Sequence, residues 1–240
     1  MRDEMHLAFL LHRRDYRETS ALADFFTFEH GVVSGVVKGA RGSSKAQRLP
    51  LQPFVCLSIS WLGANDLKTI KSVEAVNNAP LLSGAQLFCG LYINELLLRL
   101  LNRYDPYPHL FEAYQETLKS LMYCLKDESD IVLRGFEKKV LSALGYGLTF
   151  SQDSDGVEMD DHAHYSFESD HGFIKMTAPA TRDQQPLIYR GNTLLAIEAD
   201  DYRLLETRQA AKRLMRAALA YYLGGKPLHS RQLFQKMKEG

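Results

Sequence analysis

Between residues 6 and 76 the apolar positions come in short runs broken by turn residues. The runs are HLAFLLH (6–12), ALADFFTF (21–28), GVVSGVVKGA (31–40), FVCLSISWL (54–62) and LKTIKSVEAV (67–76). They are rich in Val, Ile, Phe and Leu, and Glu29-His30-Gly31 and Gly63-Ala64-Asn65-Asp66 supply turns between them. That is the pattern of β-strands. Five short strands in about 75 residues suit a small closed barrel. The OB-fold, often a nucleic-acid platform, is one such barrel, and an SH3-like barrel fits the strand count almost as well.

After Asn77-Asn78-Ala79-Pro80 the apolar period changes to a helical one. The spacing predicts helices over 82–103, 107–126 and 129–145, with Ser83 as an N-cap and Gly145-Tyr146-Gly147 as a stop. Residues 150–202 are acidic, polar and glycine-bearing, and read as an insertion of short strands and turns. A helix returns over 203–223 and ends at Gly224-Gly225. Pro227 then opens a final helix carrying Leu228, Leu233 and Phe234. The expected class is α+β: a five-stranded barrel over 1–79, then a helical domain over 80–240 with the acidic insertion at about 150–202.

The hydrophobic share, 45% of 240 residues, is enough for a real core. Cys56, Cys89 and Cys124 lie far apart in apolar runs, which predicts buried thiols in a reducing compartment rather than a disulfide framework. MRDEMHLAFLLHRRD carries acids before its apolar run and arginines after it, the reverse of a secretory signal. The most apolar segment, 87–101, is interrupted by Asn94, Glu95 and Arg99, so it reads as a buried helix and not a membrane span. A cytoplasmic protein is expected.

Charge changes the picture further. The formal net charge is +0, but its distribution is uneven. From His30 to Asn65 there is no acid, and the only Lys and Arg residues are Lys38, Arg41, Lys45 and Arg48 on a glycine-serine stretch. From Phe150 to Ile174 there are seven acids and no Lys or Arg, and from Arg203 to Lys238 nine basic residues and one acid, Glu206. Two basic surfaces point to a polyanion partner.

Nucleotide binding through a P-loop is excluded by spacing. Lys45 follows Ser44 where the motif needs Gly, and Gly225-Lys226 is followed by Pro227. No G-x-S-x-G elbow and no H-E-x-x-H occurs, so no catalytic residue is nominated. Asp153, Asp155, Asp160, Asp161, His162, His164 and His171 crowd the insertion, but their spacing matches no known metal cage, and solvated loops account for them. No metal and no cofactor is expected. In the last long helix Arg208, Lys212 and Arg216 lie four apart and form a basic stripe opposite Leu204, Ala211, Leu214, Met215, Ala218 and Tyr222. Lys226 and Arg231 extend it, together with Tyr221 and His229. An ordinary solvated face is the competing reading of this stripe.

The segments VVKGARGSSK and LQPF, then GLYINELLLRLL, LRGFEKKVLSALGYGLTF and YLGGKPLHSRQLF, resemble the RecO family of bacterial recombination mediators. The resemblance runs along nearly the whole chain. It implies an N-terminal OB-fold, a helical body and a zinc-ribbon-like insertion. Many members hold zinc there through four cysteines. This chain has no cysteine between Phe150 and Tyr202, so its insertion is expected to fold without zinc. The resemblance also implies a nucleoid-associated protein that binds single- and double-stranded DNA and anneals complementary strands. Such a protein acts with RecR to load RecA onto DNA coated by single-stranded-DNA-binding protein.

The DNA contacts expected on this view are Lys38, Arg41, Lys45 and Arg48 in the first region and Arg208, Lys212, Arg216, Lys226 and Arg231 in the last. Tyr16, Phe25, Phe28, Phe54 and Trp61 are aromatic groups on which bases could stack. The acidic tail of single-stranded-DNA-binding protein needs an apolar pocket with a cation at its rim. Leu133, Phe136, Val140 and Leu144 repeat at helical spacing beside Arg134, and are expected to provide it. A protein-interaction scaffold and an RNA-binding OB module are the alternative readings.

Overall fold

The computed structural model describes residues 4–40, 51–76, 82–125, 127–177 and 187–233. The chain divides into two compact units, 1–126 with 228–240, and 127–227.

In the first unit, β1 (His6–Tyr16), β2 (Ser20–Thr27), β3 (Gly31–Val37), β4 (Cys56–Leu62) and β5 (Leu67–Ala75) close a barrel in the order β1-β2-β3-β5-β4. β3 and β5 pair in parallel, and the other neighbours are antiparallel. This closure is that of an OB-fold, which decides between the two barrels left open by the strand count. Leu10, Ala21, Ala23, Phe25, Leu57 and Ile59 fill the interior.

The sequence of β1 lacks a clean alternation because both of its faces are covered. Its outward Phe9, with Phe26 of β2, meets Phe111 of a helix at ring-centroid distances of 5.1 and 5.4 Å. That helix is α2 (Pro108–Tyr123), which follows α1 (Gly84–Leu100). The pairing of β1 with β2 slips between Leu10 and His12. Here Asn94 of α1 donates its amide to the carbonyls of Leu10 (3.3 Å) and Leu11 (3.2 Å), and accepts the Tyr114 hydroxyl at 2.6 Å. A buried amide needs such partners, and a bulge supplies free carbonyls. Ser83 stands at the N-cap of α1, but its hydroxyl makes no cap bond.

Glu95, next in α1, receives the C-terminal segment. Its carboxylate accepts the N–H of His229 and of Ser230, each at 2.9 Å, and the Ser230 hydroxyl at 2.6 Å. Residues 229–233 are helical, so an anion sits at the start of this last turn, where the exposed N–H groups favour one. Burial pushes the Glu95 carboxyl up, but the bonds from Ser230 and His229 outweigh it and hold the group below the ordinary carboxylate value.

The second unit holds α3 (Ser129–Ala143), a sheet of β6 (His164–Glu168), β7 (Gly172–Lys175) and β8 (Ile188–Arg190), then α4 (Gly191–Glu198) and α5 (Leu205–Tyr222). The sheet order is β7-β6-β8. α4 falls inside the region read from sequence as strands and turns only. Its short run LLAI carries too little period to distinguish a helix from a strand. Gly191 is required at the β8–α4 junction, because a Cβ there would lie 1.9 Å from the Asp160 carbonyl oxygen. Phe136, Val140 and Leu141 of α3, Leu194 and Ile197 of α4, and Leu214 and Met215 of α5 are all buried. Cys56 and Cys89 are buried and outside any disulfide, as expected, whereas Cys124 is only half-buried. No helix among the described residues is long and apolar enough to cross a membrane.

Candidate nucleic-acid interface

α5 forms because its apolar residues repeat at three and four. Thr207, Ala210, Ala211, Leu214, Met215, Ala218 and Leu219 are buried. The opposite side exposes Lys212, Arg213 and Arg216, and Lys226 is exposed just past the helix. Arg208 departs from the expected stripe. Its Nη2 lies 2.6 Å from Asp130 Oδ1, its Nε donates to Asp130 Oδ2 at 3.3 Å, and it also donates to the Asp127 carbonyl. The guanidinium is therefore committed to the start of α3. Arg231 departs too. It belongs to the first unit, where it donates to the Tyr92 hydroxyl at 3.0 Å and lies over that ring at 5.3 Å.

At the barrel, Lys38 is exposed one residue beyond β3. Arg41, Lys45 and Arg48 lie outside the described residues. Of the aromatic candidates, Phe25 and Phe54 are buried. Phe28 packs edge-on to Phe111 at 5.5 Å, and Tyr16 carries Arg17 over its ring at 5.1 Å. Trp61 is half-buried and stacks on His6 with centroids 4.4 Å apart. The sequence reading missed an aromatic pair in the second unit: Tyr146 and Tyr222 stack at 4.0 Å, and Tyr146 is exposed. Only the glycines flanking Tyr146 hinted that the chain turns there.

The pocket built on Arg134 needs correction. Arg134 is 6% exposed and donates to Glu137, itself 0% exposed, at 2.9 Å. Its Nε and Nη1 have no hydrogen-bond partner among the described residues. A cation so placed stands at no rim. Phe136 and Val140 are core, and Leu133 and Leu144 are half-buried. One position further around α3 there is a cavity of about 250 Å³ lined by Leu141, Leu148, Phe150 and Met215 together with Lys138, Lys139, Ser142 and Gly147. The Lys138 ammonium is clamped to the end of α4, donating to the Ile197 carbonyl at 2.9 Å and to Asp200 at 2.7 Å. Lys139 is exposed. The helical period of α3 did not reveal this cavity, because Leu148 and Phe150 reach it only after the turn at Gly145-Tyr146-Gly147.

The acids of the insertion close turns. Asp153 accepts the N–H of Asp155 (3.0 Å) and of Val157 (2.9 Å). Asp160 accepts the His162 N–H, and Lys175 at 3.1 Å; these bonds hold its carboxyl below the ordinary value.

The barrel topology alone places the chain among OB-fold proteins, a class rich in nucleic-acid platforms. A family model described as Recombination protein O N terminal matches residues 1–79, and one described as Recombination protein O C terminal matches residues 81–232. The chain is 43% identical to the DNA repair protein RecO of Psychromonas ingrahamii, covering 96% of this chain and 97% of that one. It is 40% identical to the RecO of Methylococcus capsulatus over 95% and 91%, and 39% identical to that of Actinobacillus pleuropneumoniae serotype 3 over the whole of both. The chain belongs to the RecO family of DNA repair proteins.

Proposed function

We propose that the chain is a non-catalytic recombination mediator. It binds single- and double-stranded DNA, anneals complementary strands and, with RecR, helps load RecA onto DNA coated by single-stranded-DNA-binding protein. The observation that carries this is the outward basic face of α5, Lys212 and Arg216 with Lys226 beyond it, in a chain of the RecO family. Lys38, with Arg41, Lys45 and Arg48 following it in sequence, supplies a second set of cations, in the barrel domain over 1–79. Cations of this kind gain affinity by releasing counterions from phosphates, which requires no reactive group. The test is filter binding of single-stranded DNA, double-stranded DNA and RNA at two salt concentrations. DNA binding that weakens steeply with salt supports the proposal; binding confined to RNA, or none, overturns it.

The acidic tail of single-stranded-DNA-binding protein is proposed to dock in the cavity between Leu141, Leu148, Phe150 and Met215. Its lining is mostly apolar, and exposed Lys139 is among the residues that line it. An apolar terminal side chain fills such a cavity while its carboxylate meets the ammonium. Leu148→Asp and Lys139→Glu should each weaken binding of a tail peptide in calorimetric titration without changing binding to naked DNA. Unchanged peptide affinity in both variants would move the tail elsewhere.

A further inference from the structure

The barrel carries a cluster made of none of the cations proposed for DNA. His6 at the start of β1, and Glu29 and His30 in the β2–β3 turn, bring one ligand atom each to within 4.8 Å of one another. We propose that these three side chains bind one divalent transition-metal ion of the zinc class.

The geometry is close to what zinc needs. With bonds of about 2.0–2.1 Å in a tetrahedron, neighbouring ligand atoms lie roughly 3.4 Å apart. His6 Nδ1 and Glu29 Oε2 are 3.3 Å apart. The three ligand atoms lie within 4.8 Å of one another, so coordination requires the His30 ring to turn toward the other two. Two imidazoles and one carboxylate leave a fourth position for water, the usual form of an open zinc site. Hard cations such as calcium and magnesium prefer oxygen ligands throughout, so they are disfavoured.

The site is also held in place before any ion arrives. Thr27 donates its hydroxyl to the Gly31 carbonyl at 2.9 Å and accepts the His30 N–H at 3.1 Å. The Phe28 N–H donates to the Leu7 carbonyl at 3.0 Å. Gly31 adopts φ +60, and a Cβ there would lie 1.9 Å from the Asp105 carbonyl oxygen. The turn that presents Glu29 and His30 is thus fixed at both ends. His6 is 7% exposed. Trp61 stacks on it at 28°, and His30 meets it edge-on at 4.7 Å. The backbone of the turn and the His6 ring are thus set beforehand, and the ordering left to binding is that of the His30 and Glu29 side chains. An ion here ties the β2–β3 turn to β1 beside Trp61 of β4.

Trp61 is the chain's one tryptophan, so its fluorescence reports on His6. The experiment titrates tag-free, metal-stripped full chain with zinc chloride, and with cobalt chloride to read coordination from the visible spectrum. The expected result is a saturable Trp61 response at one equivalent and a higher melting temperature with zinc. His30→Ala and Glu29→Gln should each lower the apparent affinity at least about tenfold, since losing even an outer partner of a metal ligand has that effect. His164→Ala, in the insertion, should titrate as the parent does. Glu29 is exposed and Glu29→Gln nearly isosteric, so at least that variant keeps the barrel, which melting without metal verifies. No saturable response at one equivalent, or full affinity in a folded Glu29→Gln chain, overturns the proposal.

Discussion

Arg208 of α5 grips Asp130 of α3 with Nη2 2.6 Å from Oδ1. By spacing alone it looks like the first of three equivalent cations, yet it ties two helices of one unit together. Arg208→Ala should therefore lower stability by about 0.5–1 kcal/mol, the scale of a partly exposed ion pair. It should leave the salt dependence of single-stranded DNA binding nearly unchanged. Lys212→Ala or Arg216→Ala should each reduce the slope of log affinity against log salt by up to about 0.7. Urea denaturation and salt titration of the three variants check this; a slope change in Arg208→Ala equal to the others would restore it to the DNA surface.

The buried pair of Arg134 and Glu137 gives a second expectation. Removing one partner strands the other charge, so Arg134→Ala should lose about 3–5 kcal/mol in denaturant unfolding. Arg134→Met combined with Glu137→Leu should be near neutral or stabilising, because neither charge is then desolvated. If the double variant is as unstable as the single one, the pair contributes more than mutual compensation.

The carboxylate of Glu95 makes docking of the C-terminal turn depend on pH. Its folded value lies below the ordinary 4.5. A depressed carboxyl contributes stability that is complete above the ordinary value and is lost as pH falls through the folded one. Hydrogen exchange at His229 and Ser230 should stay protected at pH 6 and open progressively as pH falls below the ordinary carboxylate value. Glu95→Gln should expose both amides already at neutral pH. Protection in Glu95→Gln equal to the parent at neutral pH would show that other contacts hold the turn.

Much of the barrel was legible from sequence, because five apolar runs separated by turns leave few ways to close. The sheet order was not, since parallel pairing of β3 with β5 depends on contacts between residues as distant as Val36 and Thr69. Helix positions followed from their period within a few residues, but α4 carried too few apolar residues to announce itself. The candidate sites were less legible for a specific reason. A sequence shows that Arg134 and Arg208 are charged, but not that Glu137 and Asp130 wait beside them. Nor does it show that His6 lies next to a turn more than twenty residues away, because that proximity is made by the pairing of β1 with β2.

The central claim is that this chain holds DNA through cations on α5 and in the barrel domain, and brings strands together. The most direct measurement is the rate at which the full chain anneals complementary oligonucleotides coated with single-stranded-DNA-binding protein, read by fluorescence transfer. The parent should accelerate annealing in a salt-sensitive way. Lys212→Glu with Arg216→Glu should slow annealing more than it weakens binding to one strand, because the barrel-domain cations remain. No acceleration by the parent, or equal loss of annealing and single-strand binding in the double variant, would contradict the account.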